Sequence, residues 1–359
     1  MATAERYIDK PTGSANRRAA IIRAWLISVA ALVFAMVLVG GATRLTDSGL
    51  SITEWQPIAG VLPPLSDAAW NEAFAKYQQI PEYQKINKGM SLGGFKAIFW
   101  WEWSHRFLGR FIGLAFALPL LVFWLRGWLG SGLRWKLAAI LSLGALQGLM
   151  GWYMVMSGLV ERMDVSQYRL AAHLGLAGII LAALAWVIFD GSACSPRNSG
   201  VRSPSALIMS AAGLAGLIFV QILAGAFVAG LDAGFMFNTW PLMDGRLVPA
   251  GLAPLTPWYA NLFENQLTVQ FNHRLIAYFA ILWGLAHCAL VLRLSERATI
   301  RTGALLLAVG LVAQATLGIW TLVAAVPLNL GLAHQAGAFA LLVLALWHLH
   351  GVNSTGPER

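Results

Sequence analysis

The amino-acid sequence predicts an all-α integral membrane protein, with eight transmembrane helices arranged as two pseudo-repeated four-helix bundles. Composition is the first reason. Of 359 residues, 58% are hydrophobic and 11% charged, against about 25% charged in an ordinary soluble domain. Length is the second, since several apolar runs exceed the roughly 20 residues that cross a bilayer. Internal repetition is the third. "GGATRLTDSGLSITEWQP" resembles "AGAFVAGLDAGFMFNTWP", with Asp47, Gly49 and Trp55 matching Asp232, Gly234 and Trp240 at a constant offset of 185. "LQGLMGW" echoes "AQATLGIW", which aligns Gln147 with Gln314 and Gly151 with Gly318. The pair His105-Arg106 returns as His273-Arg274.

The spans are expected at 21–41, 97–125, 135–157, 168–190, 205–230, 267–292, 301–325 and 329–350. A polar, disordered leader (1–20) precedes an N-terminal bundle (21–190) with a long outer loop (42–96). A linker (191–204) leads to a C-terminal bundle (205–350) and a short tail (351–359). No signal-peptide cleavage pattern precedes the first apolar run. The net charge of +9 is scattered over short loops, which argues for membrane orientation and against nucleic acid. Arg6, Lys10, Arg17, Arg18 and Arg23 precede the first span, and Arg126, Arg134, Lys136, Arg197, Arg202, Arg293, Arg297 and Arg301 share its side if both termini are cytoplasmic. Cys194 and Cys288 lie far apart, one in a predicted loop and one in a helix, so neither a disulfide framework nor a zinc site is indicated.

Four of the seven histidines hold equivalent positions in the repeat: His105 and His173, then His273 and His334. Each falls in the first third of an even-numbered span, so all four rings belong near the outer face. Two histidines on facing helices of a bundle can supply both axial ligands of a haem. Small residues follow one turn on (Gly109, Ala177, Ala277, Ala338) and would leave space for a flat macrocycle. A single such histidine is commonly structural, whereas four in register across two repeats favour ligation. His287, His348 and His350 have no counterpart in the other half and are read as interfacial.

Glu102 lies three residues before His105 on the same helix face. Its counterpart is Gln270, which cannot ionise. That asymmetry points to a reacting site in the first half and an electron-accepting site in the second. A plainer reading makes Glu102 a helix N-terminal carboxylate or an ion-pair partner of Arg106. Arg106 and Arg274 are placed to meet haem propionates, or to snorkel to headgroups. Asp47, Arg44 and Glu54 are expected to shape their loop, as are Glu72, Lys76 and Tyr83, which otherwise would form part of a lid.

The motifs "GGATRLTDSGLSITEWQPIAGVLPP", "FWWEWSHRFLGR", "AAHLGLA", "FNHRLIAY" and "LAHQAGAF" resemble those of the haem A synthase family, in its mitochondrial and alphaproteobacterial branch. The resemblance covers nearly the whole chain. It implies oxidation of the C8 methyl of haem O to a formyl group through successive water-derived hydroxylations, with electrons passing to a resident haem b. It places substrate haem O between His105 and His173, haem b between His273 and His334, and Glu102 beside the reacting carbon, handling a proton or steadying positive charge. It also implies haem O synthase and cytochrome c oxidase assembly factors as partners, self-association, and a bacterial inner membrane with the haem sites toward the periplasm. The outer-loop cysteine pair of some bacterial relatives is missing here, so thiol chemistry does not carry over. Competing readings are a two-haem b-type electron-transfer cytochrome, a haem O carrier and a transporter. Paired histidines on one side only argue against the first, and no Gly/Pro-interrupted pair of spans supports the last.

Overall fold

The computed structural model describes residues 13–55, 59–160, 165–191 and 203–354. Residues 1–12, most of the expected linker (including Cys194) and the last five residues lie outside this set. The helices are α1 (Gly13–Leu45), α2 (Asp67–Tyr77), α3 (Pro81–Lys85), α4 (Leu92–Leu125), α5 (Ser131–Val160), α6 (Gln167–Gly191), α7 (Ser205–Gly230), α8 (Asn261–Glu264), α9 (Gln266–Leu294), α10 (Ala298–Val323) and α11 (Leu328–Asn353). Among the described residues, eight are long and apolar enough to cross a membrane. Their ends fall close to the expected spans. The first starts earlier than expected: residues 13–20, read from sequence as disordered, are the opening turns of α1.

Local chemistry sets the helix ends. Asp47 follows α1 in the left-handed region at φ 47°, and Asp232 follows α7 at φ 54°. Ser48 N–H donates to Thr43 O and Asp47 N–H to Arg44 O, which is the Schellman closure that satisfies the last carbonyls of a helix. The repeated aspartates therefore mark a repeated turn. Ser91 accepts from Gly94 N–H at the start of α4, and Asn265 accepts from Leu267 and Thr268 N–H at the start of α9. Both satisfy amides that the first turn leaves free.

In the first half, α1 and α5 each pack against both α4 and α6; in the second, α7 and α10 each pack against both α9 and α11. The halves meet where α6 touches α7 and α11, and where α1 touches α11. One hydrophobic core runs through both, including Val29, Phe116 and Leu184 from the first half and Leu214, Leu307 and Phe339 from the second. Glycines let α6 and α7 approach: a Cβ on Gly175 would lie 2.8 Å from Leu223 Cδ2, and one on Gly178 3.1 Å from Phe219. Such small-residue contacts are how helices pack where no water drives them together. Leu118, Leu282 and Val309 stay exposed, as side chains facing hydrocarbon do.

The segment between α1 and α4 folds into a cap, where the sequence reading gave mainly solvated loop. Trp70, Tyr77 and Ile80 join Leu50, Phe95 and Phe99 in a separate core. Tyr77 donates to Glu82 Oε1 at 2.7 Å and accepts from Asn87 at 2.8 Å. Burial raises the Tyr77 phenol above its ordinary value, with the Glu82 carboxylate adding to the effect.

Candidate haem sites

His105 on α4 faces His173 on α6, with ring centres 6.4 Å apart and planes at 62°. His273 on α9 faces His334 on α11, also at 6.4 Å, with planes at 78°. The sequence expectation that these four form two pairs is met in space, and both pairs sit at the end of the molecule that carries the long connections. Metal–imidazole bonds are about 2 Å long, so two axial imidazoles on one iron have centres roughly 6 Å apart. Both pairs have that separation.

The space around the rings is made by glycines on neighbouring helices. A Cβ on Gly40 would come within 3.0 Å of His105, on Gly151 within 3.1 Å of His173, on Gly225 within 3.2 Å of His273, and on Gly318 within 2.6 Å of His334. Gly225 is Gly40 displaced by the same 185 residues, and Gly318 corresponds to Gly151. The sequence pattern suggests this clearance one turn further along each histidine's own helix. Gly109 instead faces Met36 Cε at 3.3 Å.

Three glutamines hold the histidines from behind. Gln147 donates to His173 O at 3.0 Å, Gln221 to His273 O at 3.0 Å, and Gln314 to His334 O at 2.7 Å. The first-half position matching Gln221 is Met36, so His105 lacks this support. Buried polar atoms usually find partners, yet His173 Nδ1, Gln147 Oε1 and Gln221 Oε1 have none. Unpaired buried atoms beside rings cradled by glycine fit sites shaped to receive a group. Among the described residues no three His, Cys, Asp or Glu cluster to hold a metal ion, while a haem iron asks only two of the protein.

Glu102 is 2% exposed. It accepts from Ser51 Oγ at 2.7 Å, Ile52 N–H at 2.7 Å, and Arg106 Nε and Nη2 at 3.0 and 2.5 Å. Among the described residues its hydrogen bonds thus run to the loop and to Arg106, and none to His105. Arg106 also donates to Ile52 O and Glu54 O at 2.8 and 3.0 Å. Arg274 donates to Phe237 O and Thr239 O, both at 2.9 Å, the carbonyls 185 positions on. Each arginine therefore pins the connection above its histidine. Gln270 Nε2 joins in at Phe237 O, 3.2 Å away. Among the described residues no carboxylate pairs with Arg274, so its charge stays uncompensated where that of Arg106 is balanced.

Two sequence expectations need correction. His287 and His348 are not interfacial: they are 1% and 3% exposed, with their Nε2 atoms 2.8 Å apart and Ser210 Oγ 2.9 Å from His287 Nδ1. The repeat hid this pair because Pro119 and Val187 fill the matching first-half positions. Their ring centres lie 5.1 Å apart, so the rings share a hydrogen bond with no gap for iron. His350 meets Asp190 at 3.2 Å, beside Trp186, and so joins the two halves. The second correction concerns the cap residues. Lys76 bridges Glu54 at 2.8 Å and Glu72 at 2.9 Å, and those bonds push its ammonium up to about 12. Tyr83 packs edge-on against Phe74 and Tyr77. As expected, Asp47 and Arg44 shape their loop. Arg44 also reaches Asp232 at 3.0 Å and so ties the two repeated turns together.

The molecule is thus a polytopic helical membrane protein with two matched pairs of facing histidines. A model of the cytochrome oxidase assembly protein family (COX15-CtaA) matches residues 23–346, and the chain belongs to that family. Similar curated proteins are named heme A synthase. One from Nitrosospira multiformis is 53% identical over 338 residues, covering 92% of each chain. One from Chelativorans sp. is 52% identical, covering 96% of this chain and 95% of its own. One from Parvibaculum lavamentivorans is 51% identical, covering 91% and 92%.

Proposed function

We propose that the protein is a haem A synthase, an oxidoreductase of the bacterial inner membrane that converts the C8 methyl of haem O to a formyl group. The observation that carries this is the pairing of like with unlike. Two histidine pairs share one spacing, but among the described residues only the first has a carboxyl group, Glu102, buried beside it under a folded cap, where the second has Gln270. A simple electron carrier has no use for that difference.

In this reading the chain is two repeated four-helix bundles, 21–190 and 205–350, joined through a cytoplasmic linker. Both termini are cytoplasmic, supported by the basic residues Arg23, Arg126, Lys136 and Arg301 at one end of the molecule. The histidine pairs then face the periplasm. His105 and His173 hold substrate haem O, with water supplying oxygen in successive hydroxylations. His273 and His334 hold haem b, which when bound supplies one-electron redox chemistry. Glu102 has four donors on its two oxygens, which occupy them and fix the group in place. Its part is to present fixed negative charge near developing positive charge on the substrate, rather than to carry a proton away. Arg106 and Arg274 close the loops, and Arg274, with its uncompensated charge, is the stronger partner for a propionate. Haem O synthase and oxidase assembly factors are the partners, in a self-associating complex.

The test is mass analysis of haems extracted from protein produced with a haem O source. Haem B together with haem A or a partly oxidised haem O is the expected result. Haem B alone, with haem O in excess, would turn the reading to an electron-transfer cytochrome. Unchanged haem O bound beside haem B would make it a carrier.

A further inference from the structure

A cavity of about 210 Å³ lies on α9, walled by Trp240, Phe271, Arg274, Leu275 and Tyr278. Phe271, Leu275 and Tyr278 fall two residues before, two after and five after His273. At 3.6 residues per turn this is the side of the helix away from the ring. The cavity is therefore separate from the space between His273 and His334, and only about one helix diameter from it (roughly 10 Å). The same face continues through Leu275, Phe279 and Leu282, which are 46%, 53% and 65% exposed. It opens onto lipid. Three side chains bring polar groups to it, Trp240, Arg274 and Tyr278. Trp240 Nε1 donates to the Tyr278 oxygen at 2.9 Å, leaving the phenolic hydrogen free to donate elsewhere. Arg274 Nε is buried without a partner, while both terminal nitrogens are taken by carbonyls.

The counterpart cavity on α4 is built differently. It holds Lys76, Arg106 and Arg110, with Leu62 and Pro63 from the cap. Arg110 stands where Tyr278 stands in the second half. The first-half cavity also has aromatic walls, Phe99 and Trp103, but it is crowded with charge from Glu54, Glu72, Lys76, Arg106 and Arg110, whereas Arg274 is the one charged residue lining the second-half recess.

We propose that this recess docks the headgroup of a membrane quinone, the oxidant that clears electrons from the second half. The inference rests on the functional reading above. Turning a methyl into a formyl group with oxygen from water releases four electrons and four protons. Two quinones, each taking two electrons and two protons to become a quinol, close the balance: R–CH3 + H2O + 2 quinone gives R–CHO + 2 quinol. A quinone ring is flat and apolar at its faces, and its carbonyls accept hydrogen bonds such as Tyr278 and Arg274 offer. The recess is smaller than the roughly 300–1,000 Å³ of sites that enclose a whole drug-sized ligand. It suits a single ring whose tail stays in the bilayer.

The test uses full-length protein in lipid nanodiscs, a photoreactive azidoquinone, and peptide mapping by mass spectrometry. Labelling is expected on the segments 237–247 and 271–278, displaced by excess short-tailed quinone. Tyr278→Phe should weaken that displacement about fivefold, as loss of one hydrogen bond does. Leu275→Trp should fill the recess and abolish labelling while extracted haem b stays unchanged. Labelling elsewhere, labelling that excess quinone does not displace, or labelling that survives Leu275→Trp would overturn the proposal. Haem b measured in the same preparation keeps the two ideas apart: its absence would fault the functional reading, whereas labelling reports the recess directly.

Discussion

Glu102 and its four donors show what a buried carboxylate needs, and they set the first prediction. Glu102→Gln keeps the shape but removes the charge and half of the accepting capacity. Haem b content should hold while haem A formation falls by at least about tenfold, near 1.4 kcal/mol in the barrier; full activity in the haem extraction assay would remove Glu102 from the reaction. His273→Ala or His334→Ala should deplete haem b, and unchanged haem content would undo the assignment of that pair. Gly318→Ala is the sharper probe, because its Cβ would land 2.6 Å from His334. Lowered haem b occupancy with retained helical content is the expected outcome. The histidines were legible from sequence because they repeat in register. The glycines behind them were not, in a chain with 36 glycines. Nor were the donors of Glu102, since Ser51 and Ile52 come from about fifty residues away and only the folded turn delivers them.

At the level of elements, the long helices declare themselves by unbroken apolar length, and sequence and structure agree to within a few residues at most ends. The cap does not declare itself. Its helices, α2 and α3, are short, and their apolar residues make sense only against Phe95 and Phe99 at the start of α4. Trp70 is the keystone, packed edge-on to both phenylalanines at 6.4 and 4.9 Å. Trp70→Ala should cost the cap about 3–5 kcal/mol and expose 59–91 to limited proteolysis while the membrane helices stay protected. The Lys76 ion pairs add a pH dependence. Because the folded value is raised from 10.5 to about 12, their contribution is complete below pH 10.5 and lost as pH climbs through 12. Lys76 is solvent-exposed, so the effect is small, and proteolysis of the cap against pH would register it. A cap equally resistant across that window would show that the bridges do not hold it.

For the whole molecule, the two halves are tied near both ends. At the histidine end Arg44 reaches Asp232, and Gln335 donates to Val37 O at 2.8 Å. At the other, His350 and Lys136 share Asp190. Gln335 fills the space beside Gly41 so closely that a Cβ there would collide with its amide. Gly41 neighbours Gly40, which faces His105, and Gln335 neighbours His334. Gly41→Ala should therefore disturb both histidine pairs at once, whereas Asp232→Ala, at an exposed bridge, should cost no more than about 1 kcal/mol. Haem spectra and thermal unfolding of the two variants distinguish these outcomes. The recurring motifs were visible in sequence, but the seam was not, because Gln335 and Val37 lie outside those motifs and leave no periodic trace.

The four glycines facing the histidines have a further consequence for anyone seeking a hardier protein. Glycine inside a helix gives up roughly 0.5–1 kcal/mol relative to alanine, so a stabilisation campaign guided by helix propensity would choose Gly40, Gly151, Gly225 and Gly318 early. Each replacement would look favourable by helix propensity alone. Each would also press a methyl group against an imidazole, trading away function for robustness, so screens on this scaffold should score haem retention alongside heat resistance.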